Sequence, residues 1–204
     1  EIRRGLPHHE AYFCPAAQGE LWDGDQPVPS RWGLATFMHD SLAVIGQAQG
    51  FVHKGYGADG FGAHPRSRNA HAIRLFDHVG ERTVVVSHMH GLRDLGGKGD
   101  TPERLEQAKR FLALTRQIAV PGDRVVMCGD FNVEPDSATL RLLAEAGMVE
   151  LVTGRGFEGT RTSSYKKPGK FADYMLVDDP TAVKSFDVVR SPEVSDHCPL
   201  IVEV

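Results

Sequence analysis

The chain has 204 residues, of which 41% are hydrophobic and 25% charged, and its formal net charge is −4 with a pI near 6.2. This length suits a single domain with one core, and the composition is that of a folded globular protein rather than a disordered one. A negative chain has no general attraction to polyanions, so nucleic-acid binding would need a local basic patch. The apolar runs are only strand-sized, which predicts no membrane-spanning helix.

Cysteine usage bears on the cellular compartment. The three cysteines, Cys14, Cys128 and Cys198, are too few and too odd in number for a disulfide framework. We therefore expect a reducing compartment and a cytoplasmic protein. No signal peptide is visible, and any targeting segment would lie upstream of Glu1.

The first part of the chain predicts short strands between long loops. Residues 15–31 are rich in Pro, Gly and Asp, and residues 53–69 are rich in Gly, His and Arg. Both segments have the composition of loops, and loops of this length are more often functional than idle. Between them, Gly33–Met38 and Leu42–Gln47 predict short strands.

The middle of the chain predicts a hairpin and two helices. Ala70–His78 alternates apolar and polar side chains, and Arg82–Ser87 is a β-branched run that follows a turn, so the two segments predict a hairpin. Thr101–Ile118 predicts the clearest helix, capped by Thr101 and with a proline at its first position. Asp136–Ala146 predicts a second helix, which Asp136 would cap.

Four further segments predict strands: Asp123–Cys128, Phe171–Val177, Phe186–Arg190 and Leu200–Val204. Many strands and few helices in mixed order predict an α/β (α+β) fold. In this fold, two mixed, mostly antiparallel sheets pack face to face, with the helices outside. We expect one domain that covers residues 1–204.

Polar clusters end three apolar strands of the sequence. The clusters are Ser87-His88-Met89-His90-Gly91, Gly129-Asp130-Phe131-Asn132 and Ser195-Asp196-His197. Carboxylates bind Mg²⁺ or Mn²⁺, and histidine can hydrogen-bond to phosphate oxygens or protonate them. These residue types therefore indicate chemistry on a phosphoester with a divalent metal.

Four motifs in order resemble the endonuclease/exonuclease/phosphatase family. They are the His-Gly pair at His90, Gly-Asp-Phe-Asn at Asp130, Asp-Tyr at Asp173 and Ser-Asp-His at Asp196, within a resemblance that runs from about Gly33 to Val204. The resemblance implies a four-layer α/β sandwich. It also implies a hydrolase of phosphodiester or phosphomonoester bonds that uses Mg²⁺ or Mn²⁺ and in-line attack of water.

The resemblance implies a role for each position in the metal-binding part of the site. Asp130 would orient or deprotonate the attacking water, and Asn132 would steady the phosphate or the metal. Asp196 would be a metal ligand. The implied metal set is therefore Asp130, Asn132, Asp196 and His197.

The resemblance also implies which residues would contact the phosphate. His197 would contact the scissile phosphate and stabilise its charge in the transition state. Asp173 would hold His197 in the correct tautomer, although a buried structural carboxylate is an alternative reading of Asp173. His90 would be a second phosphate-contacting histidine, with Asp130 and Asn132 completing the catalytic set.

The sequence departs from the family at its N-terminal end. Family members begin with a strand that carries an Asn and a second strand that ends in a metal-binding Glu, and neither is visible here. We therefore expect residues 1–204 to be an N-terminally truncated domain. Glu1 is an alternative candidate for the missing Glu, but Arg3–His9 fits better as the end of the following helix.

Side chains near the motifs are candidates for substrate binding. Arg68 and Asn69 end a loop just before a strand, where a guanidinium could contact a phosphate. Arg161, Tyr165 and Lys170 belong to the most basic stretch of the chain. A solvated loop charge and a solvated charged face are the alternative interpretations.

Two other functions stay open at this point. One is a catalytically inactive phosphoester-binding module of the same fold, which the retention of all four motifs disfavours. The other is a binuclear zinc hydrolase built on His88 and His90, whose pattern would require Asp and His at the positions of Leu92 and Arg93. The expected partner is a phosphoester substrate: a small molecule, a lipid headgroup or a nucleic acid.

Overall fold

A computed structural model of the chain describes residues 2–57 and 64–204. The strands of this part are β1 (His9–Asp23), β2 (Gln26–His39), β3 (Leu42–His53), β4 (Arg68–Asp77), β5 (Arg82–His90), β6 (Arg124–Asp130), β7 (Val149–Glu150), β8 (Asp173–Val177), β9 (Ser185–Val188) and β10 (Leu200–Glu203). The helices are α1 (Ile2–Gly5), α2 (Pro102–Ile118) and α3 (Ala138–Glu145), with a 3₁₀ turn at Pro180–Ala182. No helix among these residues combines the length and the apolar character needed to cross a membrane.

A six-stranded mixed sheet carries the architecture. Its strand order is β3-β4-β5-β6-β8-β7, and every neighbouring pair is antiparallel except β5 and β6, which run parallel. A parallel pair needs a crossover connection, and α2 provides it between β5 and β6. Two hairpins, β1–β2 and β9–β10, stand beside this sheet. The predicted α/β class and the mostly antiparallel pairing are confirmed.

Buried aromatic side chains join α2 to the sheet. The rings of Phe111 and Phe131 meet edge to face at 5.9 Å, and those of Phe131 and Tyr174 at 5.8 Å. All three side chains are fully buried, and edge-to-face contacts of this kind add to the free energy of burial. Phe131 directly follows Asp130 and Tyr174 directly follows Asp173, so the same packing fixes both carboxylates.

Residues 15–31 form strands, and the prediction of a long loop there was wrong. Asp23 pairs with Gln26 across a tight turn, and Gly24 has the positive φ of 59° that such turns favour. Both strands of a two-stranded ribbon have an open edge, so Pro27 and Pro29 are tolerated in β2. The composition of residues 15–31, which is rich in Pro, Gly and Asp, is therefore that of an exposed two-stranded ribbon.

Other boundaries also differ from the sequence-based expectations. The amide N–H of Leu140 donates to Ser137 Oγ, so Ser137 caps α3, and the prediction of Asp136 as the cap was wrong. Helix α1 ends at Gly5 and His9 already belongs to β1, so the predicted helix end at Arg3–His9 is confirmed only as far as Gly5, while Glu1 lies outside the described residues. For the predicted loop at 53–69, residues 58–63 also lie outside the described part of the chain.

Candidate active site

Three strand ends bring polar side chains to one edge of the sheet. Strands β5 and β6 run parallel and end in register, His90 opposite Asp130. Strand β8 runs antiparallel to β6 and begins at Asp173, which also pairs with Asp130. The C-terminal ends of two strands and the N-terminal end of a third therefore meet at Asp130.

The C-terminal segment adds His197 to this edge. Arg161 and His197 form a backbone bridge, and the flanking amides of Thr162 and Cys198 donate to the carbonyls of Asp196 and Thr160, at 3.2 and 2.8 Å. This short pairing holds the imidazole over β8. Nδ1 of His197 lies 2.9 and 2.7 Å from the two carboxylate oxygens of Asp173.

The side chains that meet here form a compact group of potential metal ligands. Among the described residues, one ligand atom each from Asp130, Asp173 and His197 lies within 4.8 Å of the others. Nε2 of His197 is 3.9 Å from Asp130 Oδ2, and Nε2 of His90 is 3.8 Å from the same oxygen. Two carboxylates and an imidazole are a donor set that suits a divalent cation.

Burial raises the pKa of Asp130 to about 6, and the negative charge of Asp173 adds to this effect. His197 and Arg161 act in the opposite direction, as does the backbone N–H of Asn132, which donates to Asp130 Oδ1 at 2.9 Å. Two carboxylates held together away from water disfavour the state in which both are charged. A bound cation would relieve that repulsion.

The environment of His197 favours its charged form. Burial by itself would lower its pKa, but the hydrogen bond and the charge of Asp173 outweigh this, so the pKa is raised. In the structure Nη1 of Arg161 also contacts Nε2 of His197. A guanidinium can only donate, so while this contact lasts Nε2 is the acceptor, the ring is neutral, and its proton lies on Nδ1, which donates to Asp173. The charged form requires Arg161 to leave Nε2.

Steric requirements explain the small and amide residues of the two motifs around Asp130. A Cβ added at Gly129 would lie 2.1 Å from the carbonyl oxygen of Met89, and one at Gly91 would lie 2.3 Å from that of Phe131. Asn132 has a positive φ of 53°, a region that asparagine tolerates, and its Nδ2 donates to the Gly91 carbonyl at 3.3 Å. Asn132 therefore ties the ends of β5 and β6 together.

Asp196 lies at the margin of the ligand group, with its Oδ2 4.0 Å from Nε2 of His197, and it is hydrogen-bonded to an arginine. Its Oδ2 accepts a hydrogen bond of 2.9 Å from Nη1 of Arg161, and its side chain is half-exposed. The Arg161 guanidinium stacks on the ring of Tyr165 at 4.3 Å. Asp196 as a metal ligand stays a prediction, and its partner in this structure is Arg161.

The two predicted substrate contacts on β4 differ in what they face. Arg68 is 2% exposed, donates from Nε to the Gly91 carbonyl at 2.8 Å, and lies 4.7 Å above the Trp32 ring. Its buried Nη1 has no hydrogen-bond partner among the described residues, and burial lowers its pKa to about 10. Asn69 instead donates to the Cys14 carbonyl at 2.6 Å, which attaches β1 to β4.

The sequence matches one known protein family over most of its length. Residues 20–197 match the description of the Endonuclease/Exonuclease/phosphatase family. The chain belongs to this family. The resemblance inferred from the four motifs is thereby confirmed over most of the chain.

Solved structures of the family share the fold. An endonuclease/exonuclease/phosphatase from Bacteroides vulgatus is 19% identical with a TM-score of 0.70, and the alignment covers 98% of this chain and 77% of that one. A mannosyl-6-phosphatase from Bacteroides thetaiotaomicron is 15% identical with a TM-score of 0.70, over 99% and 79% of the two chains. The human Nocturnin catalytic domain with bound sulfate is 17% identical with a TM-score of 0.64, over 100% and 76%. No curated protein sequence matches the chain.

Lys170 and His88 lie outside the ligand group of this family member. Lys170 is exposed, and its backbone carbonyl accepts from the amides of Thr160 and Arg161 at 2.8 and 3.1 Å. Nε2 of His88 hydrogen-bonds to Thr36 Oγ1 at 2.8 Å, under the β1–β2 hairpin. The zinc alternative needed His88 and His90 to share a metal, and the structure gives them different partners.

Sequence reasoning missed three residues near the family motifs. Trp32 meets the His90 ring edge to face at 5.2 Å, and Nζ of Lys98 donates to the Phe171 carbonyl beside Asp173. Arg190 lines a cleft that also contains Arg161. None of the three stands within a motif, because long-range packing of the hairpin and loops brings them here.

Proposed function

We propose that the chain is a divalent-metal-dependent hydrolase of phosphodiester or phosphomonoester bonds that uses in-line attack of water. The observation that carries this proposal is the meeting of Asp130, Asp173 and His197 at one sheet edge. Membership of the endonuclease/exonuclease/phosphatase family supports the enzyme class. The similar structures include a mannosyl-6-phosphatase and a catalytic domain with a bound sulfate anion, an analogue of phosphate.

The donor set fits Mg²⁺ or Mn²⁺. Hard carboxylate oxygens dominate it, and a cation would remove the repulsion from Asp173 that adds to burial in raising the pKa of Asp130. Asp130 would hold the metal together with the predicted ligands Asn132 and Asp196, and the negative charge of Asp173 would lie beside it. When bound, the metal would neutralise charge on the phosphoryl oxygens and the leaving group.

The chain's own groups would bind the phosphate and prepare the water. Asp130 would orient the attacking water and accept its proton. His197, held through Nδ1 by Asp173, would direct Nε2 at a phosphoryl oxygen. In its charged form this ring would stabilise negative charge that builds up in the transition state.

Arg161 would change partners when a phosphate arrives. In the structure its Nη1 contacts Nε2 of His197 and the carboxylate of Asp196. A phosphate accepts from both a guanidinium and an imidazolium, so it would give Arg161 and His197 a shared anionic partner. Arg68 and His90 would donate hydrogen bonds to the phosphate from the opposite side of Asp130.

We also propose three further features of this protein. They are the four-layer sandwich, an N-terminal pair of strands with the family's Asn and Glu, and a cytoplasmic location. The packing of Tyr12 on His71, with ring centroids 6.2 Å apart, supports a layer on that face of the six-stranded sheet.

Hydrolysis of bis(4-nitrophenyl) phosphate tests the proposed function. We expect turnover with Mg²⁺ or Mn²⁺, poor turnover with Zn²⁺, and none in the presence of a chelator. Asp130→Asn should lower turnover by about 10²-fold or more, because it removes both a ligand and the base, while the exposed Asp25→Asn should have no effect. Full activity in a chelator, or a tightly bound zinc pair, would contradict the proposal.

A further inference from the structure

A cleft beside the candidate active site concentrates positive charge in a chain whose formal net charge is −4. Its volume is about 700 Å³, which is within the range of small-molecule sites. Four of its lining side chains are cationic and one is anionic: Arg161, Lys167, Lys170 and Arg190 against Glu158. Cations that surround one small volume repel each other, so the cleft is suited to an anion.

Arg161 connects this cleft to the candidate active site. It lines the cleft, and its Nη1 contacts both His197 and Asp196. Its side chain is only 9% exposed, and its buried Nε has no hydrogen-bond partner within the described part of the chain. A buried donor without an acceptor is costly, and an anion at the junction would supply the acceptor.

The other cations of the cleft keep donors available. Lys167 and Lys170 are exposed, and no carboxylate oxygen of residues 2–57 and 64–204 lies within 4.0 Å of either ammonium nitrogen. Arg190 donates from Nη2 to the Gly159 carbonyl at 2.8 Å, which orients the guanidinium while its other donors stay available. The hydrogen bonds of Thr160 and Arg161 to the Lys170 carbonyl fix the loop that carries the lysines.

We propose that this cleft binds a second phosphate of the substrate, adjacent to the phosphate that is hydrolysed. The inference rests on the proposed function, because it names the class of phosphoester: one that carries at least two phosphate groups. The second phosphate would contact Arg190 and Lys167, and Arg161 would lie between the two phosphates. A bisphosphorylated small molecule and the neighbouring phosphate of a short nucleic acid share this chemistry.

Calorimetric titration in the presence of a chelator, where no turnover occurs, tests the inference on the whole chain. Fructose 1,6-bisphosphate should bind at least about tenfold more tightly than fructose 6-phosphate, the effect of one charge-assisted hydrogen bond. Arg190→Gln and Lys167→Gln should each remove most of this preference, whereas Glu158→Gln should increase it. Lys184→Gln, which removes an exposed lysine paired with Glu203, is the matched control and should keep the preference.

The outcomes separate this inference from the proposed function. Equal affinity for the two sugar phosphates in the unmodified chain would overturn it, as would an undiminished preference in both Arg190→Gln and Lys167→Gln. A failure to hydrolyse both bis(4-nitrophenyl) phosphate and 4-nitrophenyl phosphate with any metal would overturn the proposed function and leave the binding preference measurable. A 5′-phosphorylated thymidine dinucleotide that binds more tightly than fructose 1,6-bisphosphate would support the cleft and identify nucleic acid as the source of the second phosphate.

Discussion

Two histidines lie at nearly the same distance from Asp130, and their surroundings give them opposite charge preferences. Nε2 of His197 is 3.9 Å from Asp130 Oδ2, and Nε2 of His90 is 3.8 Å from it. The hydrogen bond and charge of Asp173 outweigh burial and raise the pKa of His197. Burial, with the positive charge of Arg68 next in size, lowers the pKa of His90 to about 3.

The comparison shows that residue type and distance do not define a role. The carboxylate of Asp173 favours the charged form of His197, whereas burial and the positive charge of Arg68 keep His90 neutral. We therefore expect His197 to supply charge to the transition state and His90 to supply only a neutral hydrogen bond.

The largest effect should come from the carboxylate that distinguishes the two rings. Asp173→Asn keeps the shape of the side chain but removes its charge and can impose the wrong tautomer on His197. Turnover of bis(4-nitrophenyl) phosphate should fall by about 10²–10⁴-fold, the usual range for such groups. Thermal melting of Asp173→Asn and of the exposed control Asp25→Asn should match that of the unmodified chain, and near-normal turnover would make Asp173 structural.

Asp173 and His197 should also act as one unit. His197→Ala should lower turnover by at least as much as Asp173→Asn. The turnover of the double variant should be only slightly lower than that of the less active single variant, because the carboxylate acts through the ring. Turnover of the four proteins in a double-mutant cycle measures this coupling. Losses that simply multiply would show that the two residues act separately.

His90 should be less sensitive than His197. His90→Gln retains a neutral hydrogen-bonding group, so turnover should fall by at most about tenfold, the effect of one neutral hydrogen bond. His197→Gln should cost about 10²-fold or more, since an amide cannot carry the charge. Parallel kinetic measurements on the two variants check the contrast, and equal losses would refute it.

A smaller effect should appear in the pH dependence of the free energy of unfolding. It comes from two histidines that lie under the β1–β2 hairpin. Burial lowers the pKa of His88 to about 4, and it also lowers that of His71. An unfolded chain protonates histidine near pH 6.5, so between about pH 7 and pH 4 these two histidines bind more protons in the unfolded state than in the folded state. The free energy of unfolding should therefore decrease as the pH falls through that interval.

Urea unfolding at about pH 7.5 and pH 5 measures this decrease. His88→Asn should reduce the pH dependence without abolishing it, because burial also lowers the pKa of His53 and of His90. The exposed His78→Asn is the matched control and should leave the dependence unchanged. A pH dependence that is identical in His88→Asn and the unmodified chain would contradict this account.

The parts of the fold that the sequence predicts are those governed by local rules. Thr101 caps α2 as predicted, and the hairpin of β4 and β5 follows from alternation and a turn. The polar clusters indicated that His90, Asp130 and His197 carry the chemistry, whereas Asp173 was implied by the family resemblance. The β1–β2 ribbon was missed, because its exposed strands carry prolines and glycines that are typical of loops.

The parts of the site that the sequence could not predict depend on long-range packing. Nothing local to Trp32 indicates that it will contact His90, and nothing local to Asp196 indicates that Arg161 will hold it. Arg190 follows the short strand β9 and is far from any motif, yet it lines the same cleft as Arg161. Such placements arise from the tertiary fold, which strand patterns do not specify.

The contacts of Arg161 imply a population effect on substrate binding. Asp196 and the Tyr165 ring hold this side chain where it caps the nitrogen of His197 that a phosphate would use. The apparent dissociation constant for a phosphate is the intrinsic constant divided by the fraction of molecules in which Arg161 has left Nε2 of His197. A family member that holds this arginine less firmly would thus bind phosphate more tightly without a single new contact to the ligand.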